Sequence, residues 1–417
     1  MTFDEVAALY NEHVNPSLVT LLRFMGFEEL EAEGKGHIMR TDAGTEYIDF
    51  LGGFGVFSMG HAHERIVEAV CEQLRKAPLS SRLLLNEMTG RLGAELARIT
   101  PGDLQYSFFC NSGAEAVEGA LKVARFATRR PKFVSAEGAF HGKTLGALSV
   151  SGRDIYKEPF QPLMPEVELV PYGDSAALFE AVDERTAALI LEPIQGEAGV
   201  IVPPDGYLAA AREACDRAGA LLIIDEIQTG MGRTGKTFAC EHEGVVPDVM
   251  TLGKALGGGV LPIGAFIARP PYWSMFAENP LVHSSTFGGG PAACAAGLAA
   301  IAVLEDEGLA AQAAEKGEPF RARLREMAAQ YPGTIDDVRG RGLMTGMSFA
   351  NSDVGGLVIA GLAQRHVLAA YTLNNPSVLR LQPPLNVGAD VLDEVASRLE
   401  EAVAQTMELI AGLDMAE

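Results

Sequence analysis

Ala220-Leu221-Leu222-Ile223-Ile224-Asp225 is a short unbroken apolar run that ends in a carboxylate. Twenty-nine residues after that aspartate, Thr251-Leu252-Gly253-Lys254-Ala255-Leu256-Gly257-Gly258-Gly259 sets a lysine among apolar and glycine neighbours. An apolar run of this length, closed by a polar residue, suits a strand buried on both faces, as in a parallel sheet. The pattern repeats outward along the chain. Candidate strands at Tyr106 to Cys110, Lys132 to Ala136, Ala187 to Glu192 and Ile263 to Ala268 alternate with helical stretches at Ala114 to Thr128, Pro204 to Ala218 and Pro291 to Glu307. Such alternation predicts an α/β fold on a mostly parallel sheet, with ligands beyond the carboxyl ends of the strands. The last hundred residues change character: charged helical stretches run from Leu309 to Tyr331 and from Asp390 to the end, which predicts a second, smaller domain. Glycines gather at the junctions, as in Gly257-Gly258-Gly259 and Gly288-Gly289-Gly290, where a backbone must take positive φ or approach a ligand closely.

Composition narrows the function. With 417 residues, 48% apolar and 21% charged, the chain has material for one large core and a smaller one. No apolar run approaches the roughly 20 residues of a membrane span. The first residues, Met1 to Glu12, are acidic early and lack a basic segment followed by an apolar one, so no secretory signal is read and a cytoplasmic location is expected. Five scattered cysteines without CxxC spacing disfavour a disulfide framework and a zinc site, and no metal is expected. A formal charge of −22 argues against nucleic acid, whose binding needs clustered Lys and Arg.

Two further segments carry chemistry. Ser107-Phe108-Phe109-Cys110-Asn111-Ser112-Gly113-Ala114-Glu115-Ala116 passes from strand through a small-residue turn into a helix, whose N-terminus is a phosphate site or simply a capped end. Ala139-Phe140-His141-Gly142-Lys143-Thr144 puts an aromatic ring and an imidazole in a loop after a strand, where a ring can cover a planar cofactor or simply pack. Asp225 at a strand end needs a positive partner, because an unpaired buried charge costs several kcal/mol. A protonated pyridine nitrogen is such a partner, and a metal or a sugar hydroxyl could also use an aspartate at a strand end. Lys254, if desolvated, has a lowered pKa and acts as a nucleophilic amine and proton shuttle.

Together these segments resemble the class III aminotransferases of pyridoxal-phosphate (PLP) fold type I, and the resemblance runs from Gly52-Gly53-Phe54-Gly55 to Arg380-Leu381-Gln382-Pro383-Pro384. It implies an aspartate-aminotransferase-like architecture: a large domain on a mostly parallel seven-stranded sheet plus a smaller α+β domain. Residues 1–60 would be the N-terminal segment of the small domain, 61–308 the PLP-binding domain and 309–417 the C-terminal small domain. By the same resemblance Lys254 carries PLP as a Schiff base and Asp225 keeps its ring nitrogen protonated. Ser112, Gly113 and Ala114 would bind the phosphate, Phe140 would stack on the ring, Ile227 would pack behind it, Gln228 would reach the phenolic oxygen, and His141 and Glu192 would complete the cofactor site. Thr286, with Ser285, would reach the phosphate of a neighbouring subunit in a homodimer.

For substrates, Glu197 resembles the family's gating glutamate and Arg380 its carboxylate-binding arginine, with Phe54 and Arg82 as further substrate residues. An arginine fork matches a carboxylate bidentately, so Arg380 is expected to hold glutamate or 2-oxoglutarate, and Glu197 to neutralise it when an amine lacking that carboxylate binds. The putrescine aminotransferase branch shares the look of Leu51-Gly52-Gly53-Phe54-Gly55-Val56-Phe57, Phe140-His141-Gly142-Lys143, Gly230-Met231-Gly232-Arg233-Thr234-Gly235-Lys236 and Thr372-Leu373-Asn374-Asn375. Lys143 stands where ornithine and acetylornithine aminotransferases carry arginine. Two departures run the other way: Arg82 replaces that branch's glutamine and looks more like ornithine aminotransferase, and Gly290 takes a position usually held by asparagine. The expected reaction is transfer of a terminal amine, from a diamine, polyamine or other ω-amino compound such as putrescine, to 2-oxoglutarate. The alternatives are amination of an aldehyde in a specialised biosynthetic pathway, an ornithine-type reaction, or a PLP mutase or racemase on the same fold.

Overall fold

The apolar runs pair into one seven-stranded sheet, in the spatial order Tyr106–Cys110, Gly264–Ala268, Val249–Leu252, Leu221–Asp225, Thr186–Leu191, Lys132–Ala136, Val167–Val170. Gly264–Ala268 runs antiparallel to both its neighbours, and the remaining pairs are parallel. This is the expected α/β fold on a mostly parallel seven-stranded sheet. The computed structural model describes residues 1–414.

Strands Thr186–Leu191 and Leu221–Asp225 are buried at every position. Successive side chains feed two different cores. Leu221 and Ile223 join Val117, Ala120 and Leu121 of helix Gly113–Thr128, whereas Leu222 and Ile224 join Leu208 and Ala211 of helix Tyr207–Ala218. The period of two therefore lays one helix on each face of the sheet, which is why these strands read as continuous rather than alternating apolar runs.

Most expected elements are found within a residue or two. The helix expected from Pro204 starts at Tyr207 instead, because Gly206 takes φ 86° and breaks the helical path just before it. The helix expected to Tyr331 stops at Ala328, and the C-terminal one spans Ala389–Asp414, residues 415–417 of that expectation lying outside the described residues. Val167–Val170 and Val249–Leu252 were not expected as strands. Each is only four residues long, too short for a periodic signal to stand out.

Two four-stranded sheets lie outside the large one. In the first, the hairpin strands Glu31–Lys35, Ile38–Thr41 and Glu46–Asp49 are extended by the distant Val367–Leu368, which runs parallel to the last of them. In the second, Ile335–Arg341, Met344–Phe349, Asn375–Leu381 and Ala370–Thr372 pair antiparallel, and Asn375–Leu381 carries Arg380. Gln382 N–H then bonds Phe50 O at 2.7 Å, tying the end of that strand to the chain before Gly52-Gly53-Phe54-Gly55. No helix among the described residues is long and apolar enough to cross a membrane.

Candidate active site

The carboxyl end of Leu221–Asp225, the start of helix Gly113–Thr128 and the turn at Lys254 converge on one cavity of about 220 Å³. Its lining includes Gly113, Ala114, Phe140, His141, Glu192, Glu197, Asp225, Ile227, Gln228 and Lys254. Ser112 caps the helix, its hydroxyl accepting from Glu115 N–H at 3.2 Å. The N–H groups of Gly113 and Ala114 lie in the first turn, have no intrahelical acceptor and form the positive end of the helix dipole. Gly253 packs against this turn so closely that a Cβ there would lie 3.3 Å from Gly113 Cα.

Lys254 is partly buried at the edge of the cavity and takes φ +44°, a left-handed conformation that a non-glycine residue holds at roughly 1–3 kcal/mol of strain. Burial pushes its pKa down, against the opposing pull of Glu197 and Asp225. Asp225 is fixed on both oxygens: His141 Nδ1 donates to Oδ2 at 2.7 Å, and Ile227 N–H donates to Oδ1 at 3.1 Å. Burial opposes charge on His141, but the hydrogen bond and charge of Asp225 outweigh it and raise its pKa. Glu192 accepts from the N–H groups of Phe140 (3.0 Å) and Gly196 (3.1 Å), and burial pushes its pKa up to about 7.

Glu197 and Arg380 form a buried ion pair through Oε1 and Nη1. Burial works against a charged Glu197, yet Arg380 and the Leu373 N–H, which donates to Oε2 at 2.9 Å, bring its pKa below the ordinary value. Gln228 Nε2 also reaches Glu197 Oε1 at 3.3 Å and Phe54 O at 3.2 Å. The Phe54 ring centre lies 5.1 Å from the Arg380 guanidinium carbon. Leu373 is itself held, its carbonyl accepting from Arg153 Nη1 at 2.8 Å and Tyr156 OH at 3.1 Å. Lys143 Nζ sits 4.2 Å from the centre of the Tyr156 ring.

Two of the residues singled out in the sequence stand away from this cavity in a single subunit. Thr286 is exposed, and its carbonyl accepts from Arg82 Nε at 2.8 Å. Arg82, expected to face substrate, instead turns its guanidinium onto the carbonyls of Ser285, Thr286 and Gly288, so that three acceptors take up its donors. Sequence reasoning also passed over Leu373 as a partner of Glu197, a backbone contact that no side-chain pattern reports. It passed over Gln382 as well, visible only as a polar residue in an apolar strand end.

The buried polar inventory fits a phosphorylated pyridine aldehyde: a helix N-terminus for the phosphate, a fixed carboxylate for the ring nitrogen, and a desolvated amine for the aldehyde. Gln228 Oε1 is buried without a partner among the described residues, and Gly196 gives it room, since a Cβ there would stand 1.3 Å from it. A group bearing a hydroxyl would satisfy it.

Residues 29–403 match the family model described as aminotransferase class-III. The chain is 36% identical to an ornithine aminotransferase from Toxoplasma gondii whose structure shows partial occupancy of PLP at the active site, covering 91% of each chain with a TM-score of 0.86. It is 33% identical to an acetylornithine aminotransferase from Elizabethkingia anophelis, over 97% of this chain and 99% of that one, with a TM-score of 0.84. A transaminase from the marine bacterium Virgibacillus is 27% identical over 97% and 100%, with a TM-score of 0.91.

Proposed function

The chain belongs to the class III aminotransferases and uses PLP, and on that footing we propose that it moves a terminal primary amine between an ω-amino compound and the glutamate/2-oxoglutarate pair. The observation that carries this is the Glu197–Arg380 pair, buried beside Lys254. A single-substrate enzyme gains nothing from a carboxylate-binding arginine covered by an internal carboxylate. A two-substrate enzyme does, because the pair stays closed over an amine without an α-carboxylate and opens when glutamate or 2-oxoglutarate offers Arg380 a better partner.

Bound PLP supplies an electron sink and a temporary store for the amino group. Gly113 and Ala114 would hold its phosphate with their free N–H groups, alongside the Ser112 turn, and Phe140 and Ile227 would enclose its ring. Asp225 would hold the proton on the ring nitrogen, steadied by His141, while Glu192 keeps the Phe140 loop in place through the Phe140 N–H. Gln228 would bind the phenolic oxygen. Lys254, its amine's pKa lowered by burial, would take the proton from the substrate carbon that bears nitrogen and return it on the other side of the transfer.

Ornithine-type donors are supported by the similarity to ornithine and acetylornithine aminotransferases. For the putrescine reading, Arg82 turns its guanidinium onto the carbonyls of Ser285, Thr286 and Gly288 and away from this subunit's cavity. Exposed Leu83, Leu84, Leu85, Leu281 and Phe287, close to the Ser285–Thr286 loop, support a homodimer in which that loop completes the neighbour's site. Five separate free cysteines suit a reducing cytoplasm. The test is Arg380→Ala, assayed by half-reaction with glutamate, ornithine and putrescine in turn. The glutamate half-reaction falls at least about a hundredfold, the loss of a bidentate charge-assisted pair, and the amine half-reactions fall far less. Equal losses would remove the gate from the account.

A further inference from the structure

Gln382 is completely buried, and neither its Nε2 nor its Oε1 has a hydrogen-bond partner among the described residues. Because both atoms lack one, exchanging the amide's N and O leaves the observation unchanged. A buried amide without a partner is destabilising by a few kcal/mol, and most such groups in folded proteins answer to a ligand or a bound water. Its position decides between them. The point where a Gly55 Cβ would stand lies 3.6 Å from Gln382 Oε1, 3.6 Å from Gln228 Cγ and 3.7 Å from Lys254 Cδ, so the amide lies behind Gly55, next to two residues that line the cavity. It follows Arg380 by two residues and lies one residue past the end of strand Asn375–Leu381, the spacing that puts side chains on one face where the chain continues extended. Arg380 shows the same incompleteness: Nε and Nη2 are buried and unpartnered, and only Nη1 reaches Glu197.

The unused donors of Arg380 and Gln382 therefore face one site, and the anion that fills it must bring at least two acceptor oxygens. We propose that Gln382 is a substrate-positioning residue of the carboxylate half-reaction. Its Nε2 donates to the α-carboxylate that displaces Glu197 from Arg380, so that glutamate or 2-oxoglutarate is held by the guanidinium and the amide together. This rests on the two-substrate reading given above. It also explains why a polar side chain persists at an apolar strand end: the position lowers stability in the free enzyme and serves binding.

The experiment compares Gln382→Met and Gln382→Glu with the parent holoenzyme, using kcat/KM for each half-reaction, the Kd of glutarate by calorimetry, and Tm. Gln382→Met removes one charge-assisted hydrogen bond and lowers kcat/KM for glutamate about tenfold relative to that for the amine donor. It weakens glutarate by a similar factor and raises Tm by on the order of one or two degrees, since an unsatisfied amide has gone. Gln382→Glu, the same shape with a negative charge, lowers the glutamate value further. A fall in Tm in Gln382→Met with glutarate affinity unchanged would make the amide a water-bound structural group and overturn the assignment, as would equal losses for both substrates. If Arg380→Ala separates the half-reactions and Gln382→Met does not, only Gln382 is misassigned. If Arg380→Ala does not separate them, the two-substrate reading itself has failed.

Discussion

At the scale of single residues, burial sets the chemistry. A lysine in water is protonated at neutral pH and useless as a base, and enclosing Lys254 makes its neutral form accessible. The same burial would be ruinous for Asp225 without His141. Because folded His141 holds its proton more tightly than the unfolded chain does, the pair stabilises fully below the ordinary histidine pKa of 6.5. That contribution is lost as the pH climbs through the higher folded value. His141→Phe is expected to destabilise the holoenzyme by about 3–5 kcal/mol near pH 6, the range for breaking a buried pair. The gap to the parent, followed by thermal melting, narrows as pH is raised, and a gap that does not change with pH would remove the charge from the explanation. Asp225 and Lys254 were legible in the sequence because a charge in an apolar run demands a reason. The left-handed φ of Lys254 was not, since nothing in Gly253-Lys254-Ala255 distinguishes strain from an ordinary turn.

Elements explain how these residues meet. The site is a junction of strand ends and one helix start, and the strand Leu221–Asp225 was readable because burial on both faces leaves a pure apolar run. The turn before helix Gly113–Thr128 was readable as a capped end, and the cap is what the structure shows, the phosphate role of Ser112 being part of the proposed function. Ser112→Ala should destabilise the protein by about 1 kcal/mol, read from urea midpoints, through loss of the bond to Glu115 N–H. It should also weaken PLP retention on dialysis, and unchanged retention would leave Ser112 a cap alone. Less legible was the segment Gly52–Gly55, in which Gly52, Gly53 and Phe54 all take positive φ near 60°. That path is dictated by distant chain, for a Cβ on Gly52 would lie 2.2 Å from Gln382 O. Arg82 belongs to the same class. Its charge suggested a substrate contact, and only the folded chain brings it under the carbonyls of the Ser285–Gly288 loop.

For the whole molecule, surface and site belong together. Leu83, Leu84 and Leu85 are 93%, 78% and 106% exposed, an apolar run that a lone subunit would leave in water beside the loop expected to serve a neighbour. The double variant Leu83→Asp/Leu84→Asp should run as a monomer by light scattering and lose most of its turnover. A dimeric, active variant would place the interface elsewhere. The central claim, one PLP site serving two chemically different amino donors, is tested most directly by the visible absorption of the holoenzyme under anaerobic single-turnover conditions. The band of the lysine-bound cofactor should give way to that of the aminated cofactor on adding glutamate alone, and again on adding ornithine or putrescine alone. A band that glutamate leaves untouched would contradict the account.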